Sequence, residues 1–133
     1  MGIDFGLKRT GIAVTDPLNL FAQPLTTIRT ADFPVWFKDY LQYEPVDCVV
    51  VGMPIRLTGE DTHSTQSVRD FLQWLKENYP QLKIETIDER FSSHEAQNQI
   101  IAMGKSKKDR KDKGLIDTVS ATIILQTHLQ RIS

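Results

Sequence analysis

The beginning of the chain alternates between short apolar runs and polar turns, a pattern typical of β-strands. The apolar residues around Ile3 predict a first strand, and residues 10–16 predict a second. The next β-rich segment contains Pro24, which disfavours a central strand, so we predict a third strand only over residues 25–29. These segments together predict an antiparallel meander.

After residue 32 the apolar spacing changes to the i, i+3, i+4 period of amphipathic helices, interrupted by further strands. Residues 46–52 form a nearly continuous apolar run closed by glycine, which is typical of a parallel strand buried on both faces. Residues 82–89 alternate and predict another strand. A Ser-x-x-Glu capping box at residues 92–95 marks the start of a helix. The predicted helices cover residues 33–41, 64–78, 92–103 and 115–130.

The order β-β-β-α-β-α-β-α-α predicts an α/β fold. Its sheet would have five strands, an antiparallel three-strand meander plus two parallel strands, with helices on both faces. A chain of 133 residues is the size of one domain, so we assign residues 1–133 to a single domain.

Composition excludes several classes of function. The net charge is -1, so nucleic-acid binding would have to rest on local basic patches. The single cysteine, Cys48, permits no internal disulfide and fits core packing in its apolar run. No apolar run reaches the ~18 residues of a membrane span, and the first residues favour a strand over a signal peptide, so we expect a cytoplasmic protein with no membrane partner. Because strands usually have ~5 residues, the short segment before Asp4 favours a natural start a few residues upstream.

Carboxylates fall where two of the predicted strands end. Asp4 lies in the first strand, beside a glycine-flanked turn, and Asp88 and Glu89 end the last strand. Ligands in open α/β sheets bind outside the carboxyl ends of the strands, so we expect these side chains to share an edge. Of this pair, Glu89 is the preferred candidate to coordinate a metal ion. Asp88 would take its place if the other strand register applied. The alternatives are a surface hairpin with an incidental Asp4 and a surface ion pair with Arg90.

Asp117 is the third candidate carboxylate. It lies one turn ahead of Ala121 and Ile124 on a predicted apolar helix face, where an unpaired carboxylate would be costly. The alternative is an Asp in the first helical turn that caps the helix or interacts with its dipole. In combination with Asp4 and Glu89, Asp117 favours a metal site.

A set of carboxylates without Cys or His ligands suits a hard cation. Mg²⁺ and Mn²⁺ prefer oxygen ligands, whereas His63, His94 and His128 lack the spacing of zinc ligands. Two such ions ~3.5–4 Å apart would activate a water molecule and stabilise the leaving oxygen in phosphodiester hydrolysis. The carboxylates are therefore candidates for a one- or two-ion metal site that could act on a phosphodiester.

Basic side chains near these carboxylates could bind a phosphate backbone. Lys8 and Arg9 lie in the first turn, Arg56 follows the buried strand, and Arg90 follows the acidic pair. A basic segment precedes the last helix and contains Lys105, Lys107, Lys108, Arg110, Lys111 and Lys113. Charge runs are usually only solvated, but this one leads to Asp117, so we expect nucleic-acid binding that weakens with salt.

Several short motifs occur in a fixed order along the chain. They are Gly2-Ile3-Asp4-Phe5-Gly6-Leu7-Lys8-Arg9-Thr10-Gly11, Val51-Gly52-Met53-Pro54 with Gly59, Asp88-Glu89-Arg90-Phe91-Ser92-Ser93, and Lys113-Gly114-Leu115-Ile116-Asp117 with Ala121. In these motifs the chain resembles the YqgF (RuvX) family over essentially its whole length. The resemblance implies a ribonuclease H-like fold and a metal-dependent nuclease. The implied roles are maturation of the 5′ end of pre-16S ribosomal RNA and, by analogy with resolvases, cleavage of Holliday junctions.

The resemblance carries the acidic positions of the family to Asp4, to Glu89 with Asp88 beside it, and to Asp117. The departures are the short first strand and the sequence Arg56-Leu57-Thr58 before Gly59. They leave open the details of substrate contact.

Three rival interpretations stay open. Actin-like ATPases and sugar kinases begin with a similar Asp-x-Gly hairpin, but they need two lobes. A non-catalytic RNA-binding assembly factor would keep the fold and the basic patches without turnover. A resolvase would act on branched DNA as a dimer, yet no apolar stripe suited to a dimer interface is evident. Core packing explains Trp36, Phe37 and Tyr40 at least as well as a dimer interface would. We therefore favour a monomer that processes structured RNA.

Overall fold

The fold is built on one five-stranded sheet. The computed structural model describes residues 1–18, 20–54, 63–88 and 113–132. Its strands are β1 (Gly2–Phe5), β2 (Arg9–Thr15), β3 (Ala22–Arg29), β4 (Cys48–Met53) and β5 (Lys83–Asp88), in the sheet order β3-β2-β1-β4-β5. The β1–β2 and β2–β3 pairs are antiparallel, whereas β1–β4 and β4–β5 are parallel. The predicted α/β class, with a meander and two parallel strands, is confirmed.

Helices cover both faces of this sheet. After a short 3₁₀ turn at Thr30–Asp32, the described helices are α1 (Phe33–Tyr43), α2 (His63–Asn78) and α3 (Lys113–Ile132). Three predicted helices are therefore confirmed, while the one predicted over residues 92–103 lies outside the described residues. Within the described ranges, none of the helices combines the length and the apolar character that a membrane crossing requires.

One side of the sheet, which we call the aromatic face, is covered by α1 and α2. Phe33 and Phe37 of α1 and Phe71 and Leu75 of α2 are buried there. Each such side chain contributes roughly 1.5–3 kcal/mol by leaving water. The sheet supplies the β-branched residues Ile3, Ile12, Val49 and Val51 to the same cluster.

The opposite side, which we call the close-packed face, is covered by α3. There β1 and β2 contribute Gly2, Gly11 and Ala13. A Cβ atom at Gly11 would lie 2.0 Å from the carbonyl oxygen of Asp117, and one at Gly2 would lie 2.7 Å from the carbonyl oxygen of Ala121. Because both neighbours are backbone atoms, the helix can approach this closely only where the strand has no side chain.

Buried polar contacts fix α3 along the meander. The Thr118 and Thr27 hydroxyls are hydrogen-bonded, and the backbone N–H of Ala22 donates to Oε1 of Gln126 at 2.8 Å. Within the helix, Thr122 Oγ1 donates to the Thr118 carbonyl at 2.8 Å. A buried group that loses its partner pays its full desolvation cost, so the two bonds between α3 and β3 oppose sliding of the helix along the sheet.

The prediction that β3 begins at residue 25 is wrong. The strand begins at Ala22 and includes Pro24, which pairs with Ala13. Proline is tolerated because β3 is an edge strand, where one side of the backbone has no strand neighbour. The register of the β2–β3 pair also shifts between Ile12 and Ala13, next to the proline.

Candidate active site

Asp4 lies on the close-packed face, near the end of β1. It is directly opposite Gly11 of β2 in the antiparallel register. Side chains alternate along a strand, so Asp4 shares its face with Gly2, which contacts α3. Its neighbours Ile3 and Phe5 pack into the aromatic face instead. The first strand therefore directs one carboxylate toward the side that α3 approaches.

Asp117 reaches the same place from α3. Its carbonyl oxygen lies against Gly11, the residue opposite Asp4, so the two carboxylate-bearing residues adjoin one glycine from opposite ends of the chain. The Asp117 side chain is 21% exposed. The alternative of a cap in the first helical turn is wrong, because α3 begins at Lys113 and has no acidic residue in its first turn.

Arg9 forms an ion pair with Asp117. Its Nε donates to Asp117 Oδ2 at 2.9 Å, and the Arg9 side chain is 41% exposed. An ion pair this exposed contributes at most about 1 kcal/mol to stability. Arg9 is the first residue of β2, so the hairpin fixes where its side chain starts. The main consequence of the pair is therefore to hold the Asp117 carboxylate in one orientation.

Asp88 lies in a different register row. It pairs with Met53 of β4, which packs against the cluster of the aromatic face. The preceding residue, Ile87, packs with the α3 cluster on the close-packed face. Strand alternation thus places Asp88 on the side of the sheet opposite Asp4 and Asp117.

Most of the other predicted site residues lie outside the described residues. They are Glu89, Arg56, Arg90, Lys105, Lys107, Lys108, Arg110 and Lys111. Lys113 is the first residue of α3. Lys8 is exposed in the turn between β1 and β2, and its carbonyl accepts a hydrogen bond from Thr30 N at 3.0 Å. The structure therefore brings together Asp4, Arg9 and Asp117 from the predicted set.

The donor atoms described at this site suit a hard cation. In the part of the chain that the structure describes, no group of three or more His, Cys, Asp or Glu side chains could hold a metal ion. The carboxylates of Asp4 and Asp117 nevertheless supply oxygen donors of the kind that Mg²⁺ and Mn²⁺ prefer. The described pair therefore fits part of such a site.

His128 and Cys48 line a separate cavity, together with Met1, which precedes β1. Burial lowers the pKa of His128 and raises the pKa of the Cys48 thiol, and both shifts favour the uncharged form. Both residues are partly buried and lie near the end of β1 that is farther from the candidate active site.

Two features of the site escaped the sequence analysis. One is the close approach of the α3 backbone to Gly11, in the second strand of the first hairpin. The Arg9–Asp117 pair joins residues 108 positions apart, a separation that no local pattern reports. The useful signal was the placement of Gly2 and Gly11 on one face of a short hairpin, which marks a surface where another element packs closely.

Known proteins are similar to this sequence over nearly its full length. The family model described as "RuvX: Holliday junction resolvase" matches residues 1–131. A protein of Bacteroides thetaiotaomicron is 42% identical over 130 residues, which cover 98% of this chain and 94% of the relative. A Flavobacterium psychrophilum protein is 42% identical over 131 residues, with 98% and 96% covered. A Porphyromonas gingivalis protein is 43% identical over 129 residues, with 97% and 94% covered.

All three relatives carry the name "Putative pre-16S rRNA nuclease". The family match and these relatives agree with the α/β architecture and with the motif order along the chain. The chain belongs to the RuvX family.

Proposed function

We propose that this protein is a metal-dependent nuclease that processes the 5′ end of pre-16S ribosomal RNA in the cytoplasm. The observation that carries the proposal is the meeting of Asp4 and Asp117 at Gly11, on the face where α3 touches the sheet. The names of the relatives support the choice of RNA as substrate.

Asp4 and Asp117 would hold the metal, with Glu89 as the third carboxylate. Asp88 lies in the row of Met53 on the aromatic face, and strand alternation therefore favours position 89 over position 88. Mg²⁺ or Mn²⁺, as two ions in our proposal, would supply Lewis acidity and an activated water for phosphodiester hydrolysis.

The residues of the chain itself provide orientation and charge balance. Arg9 holds one oxygen of the Asp117 carboxylate and offsets part of the negative charge beside Asp4. Lys8, exposed in the adjacent turn, would attract a phosphate backbone to the same edge. The basic residues between 105 and 113 would extend that attraction, so binding should weaken as salt increases.

The test compares two substrates and two matched variants. The purified protein is incubated with Mg²⁺ or Mn²⁺ and either a labelled ribosomal RNA precursor fragment or a synthetic four-way DNA junction. Asp4→Asn removes one proposed metal ligand, whereas Asp39→Asn removes an exposed carboxylate of α1 that is remote from the site. We expect metal-dependent RNA cleavage that Asp4→Asn abolishes and Asp39→Asn retains.

Other outcomes would overturn parts of the proposal. Equal cleavage by the wild type and Asp4→Asn would refute the carboxylate site. Symmetric cleavage of the junction alone, by a dimer in size-exclusion chromatography, would favour a resolvase, which the description of the family model names. RNA binding by both proteins without any cleavage would favour an assembly factor.

A further inference from the structure

A cavity of about 360 Å³ opens on the aromatic face beside the end of β1. Its walls include Phe5 of β1 together with Phe71 and Trp74 of α2. The Phe5 and Phe71 rings are 4.4 Å apart with an interplanar angle of 15°, and the Phe71 and Trp74 rings are 6.2 Å apart at 14°. Phe5 and Phe71 stack directly on each other, so a ligand would pack against the outside of this ring pair, and Phe33, which also lines the cavity, lies edge-on to Phe71 at 78°. The aromatic wall favours a flat ligand.

The polar groups of the cavity indicate what kind of flat ligand would fit. Ser67 and Asp70 lie three residues apart on α2, and both line the cavity. One Asp70 oxygen accepts a hydrogen bond from Gln66 Nε2 at 2.9 Å, so the carboxylate is oriented at the rim. Of the described residues that line the cavity, none is Lys or Arg. The lining therefore disfavours a phosphate and favours an uncharged ring that presents N–H donors.

The cavity is close to the candidate active site along the chain. Phe5 directly follows Asp4, and consecutive Cα atoms are about 3.8 Å apart. Their side chains lie on opposite faces of β1, and Leu7 in the following turn also lines the cavity. A single-stranded RNA with one phosphodiester at Asp4 could therefore pass over the β1–β2 turn and place a neighbouring base in the cavity.

We propose that this cavity binds one unstacked nucleobase of the substrate, next to the phosphodiester that is cleaved. The inference rests on the proposed nuclease function and makes it more specific. The volume of the cavity is at the lower end of the range for small-ligand pockets, which suits one base better than a larger group. Proteins recognise single-stranded RNA by stacking splayed bases on aromatic side chains and by hydrogen bonds to base edges. The substrate would thus be single-stranded or locally opened at the cleavage site.

The experiment measures base binding separately from cleavage. A short single-stranded RNA with one 2-aminopurine is titrated with the full-length protein in EDTA, and fluorescence reports both stacking and affinity. Ser67→Phe places a ring in the cavity, and Gln73→Phe places the same ring on an exposed position of α2 outside the cavity. We expect quenching with the wild type and Gln73→Phe, and about tenfold weaker binding with Ser67→Phe.

A second variant keeps the test valid if Ser67→Phe folds poorly. Asp70→Ala removes an exposed negative charge, so electrostatics alone would tighten RNA binding. If Asp70 accepts hydrogen bonds from the base, binding should instead weaken, by about threefold or more. Tighter binding by Asp70→Ala, or quenching by Ser67→Phe equal to that of the wild type, would overturn the proposal.

The same proteins are then assayed for RNA cleavage with Mn²⁺. Cleavage without base-dependent quenching would refute the base pocket and leave the nuclease in place. Quenching that depends on Ser67 and Asp70, in a protein without cleavage, would support the pocket and refute the nuclease.

Discussion

The aromatic face fills the space between sheet and helices with rings such as Phe33 and Phe37, whereas the close-packed face has Gly2 and Gly11 where α3 touches the strands. The aromatic face also contains a cavity of about 360 Å³ at its edge, while at Gly11 there is no room for a single methyl group. The aromatic face is stabilised by large buried side chains, whereas the close-packed face requires positions that have no side chain. The candidate active site lies on the close-packed face, where glycines let α3 approach the strands closely.

The largest effect on stability should come from emptying the aromatic face. Phe37 is 0% exposed and packs against Phe33 and Tyr79. We expect Phe37→Ala to lower the free energy of unfolding by about 4 kcal/mol, because it removes buried apolar surface and leaves a cavity. Urea denaturation followed by circular dichroism measures this. Cleavage activity per folded molecule should persist at urea concentrations well below the unfolding midpoint. A loss of activity at those concentrations would show that the two faces are not independent.

The converse change on the close-packed face is Gly11→Ala. Its methyl group would meet the backbone of Asp117 at 2.0 Å, so α3 would have to move. We expect a loss of about 3 kcal/mol, and we expect cleavage to be lost even in the folded fraction because Asp117 moves with the helix. Gly2→Ala, with a nearest contact of 2.7 Å, is the graded comparison and should cost less. A Gly11→Ala protein with normal stability and activity would contradict the close-packing argument.

A smaller effect should come from the loss of a buried hydrogen bond on the close-packed face. Gln126→Leu keeps volume in α3 but removes the acceptor of the Ala22 N–H. We expect about 1–2 kcal/mol of destabilisation, since that donor stays buried without a partner. Gln66→Leu on α2 removes an exposed hydrogen bond to Asp70 and should change the urea midpoint little. Equal effects of the two substitutions would show that Gln126 contributes only by packing.

The comparison of the faces also shows what could be read from the sequence. The apolar run at residues 46–52 and the periodic apolar residues of α2 predict their elements well, because burial directly sets those patterns. The start of β3 was missed because Pro24 is unfavourable in a sheet interior but acceptable at its edge.

The pairing inside the site was harder to predict. The aromatic face is specified by large apolar side chains, which are visible in the sequence. The close-packed face depends partly on glycines, whose lack of a side chain does not reveal which element packs there. Contacts such as Arg9 with Asp117 depend on how α3 lies across the hairpin, and only the assembled fold determines that. The motifs identified Asp4 and Asp117 as candidates, but not the glycine at which they meet.

Arg9→Met tests orientation at the site with little change in stability. The Arg9–Asp117 pair is partly exposed, so we expect at most about 1 kcal/mol of destabilisation. Cleavage should fall by a larger factor than stability explains, because the Asp117 carboxylate loses the group that orients it. Lys83→Met breaks the more exposed pair with Glu85 at 3.5 Å and serves as the control, with both properties nearly unchanged. Parallel small losses in the two variants would indicate that Arg9 has no special role.

The smallest effect should be a pH dependence confined to the α3 side. Burial lowers the pKa of His128 below its ordinary value of 6.5, with Glu85 opposing this shift and Lys83 and Arg131 adding to it. Because the folded state binds the proton more weakly than the unfolded state, the stability that His128 contributes is complete above pH 6.5 and is lost as the pH falls through the lower folded pKa. Urea titrations at pH 7.5 and about pH 5.5 should show a decrease for the wild type that His128→Gln reduces. An equal decrease in both proteins would assign the acid sensitivity to groups other than His128.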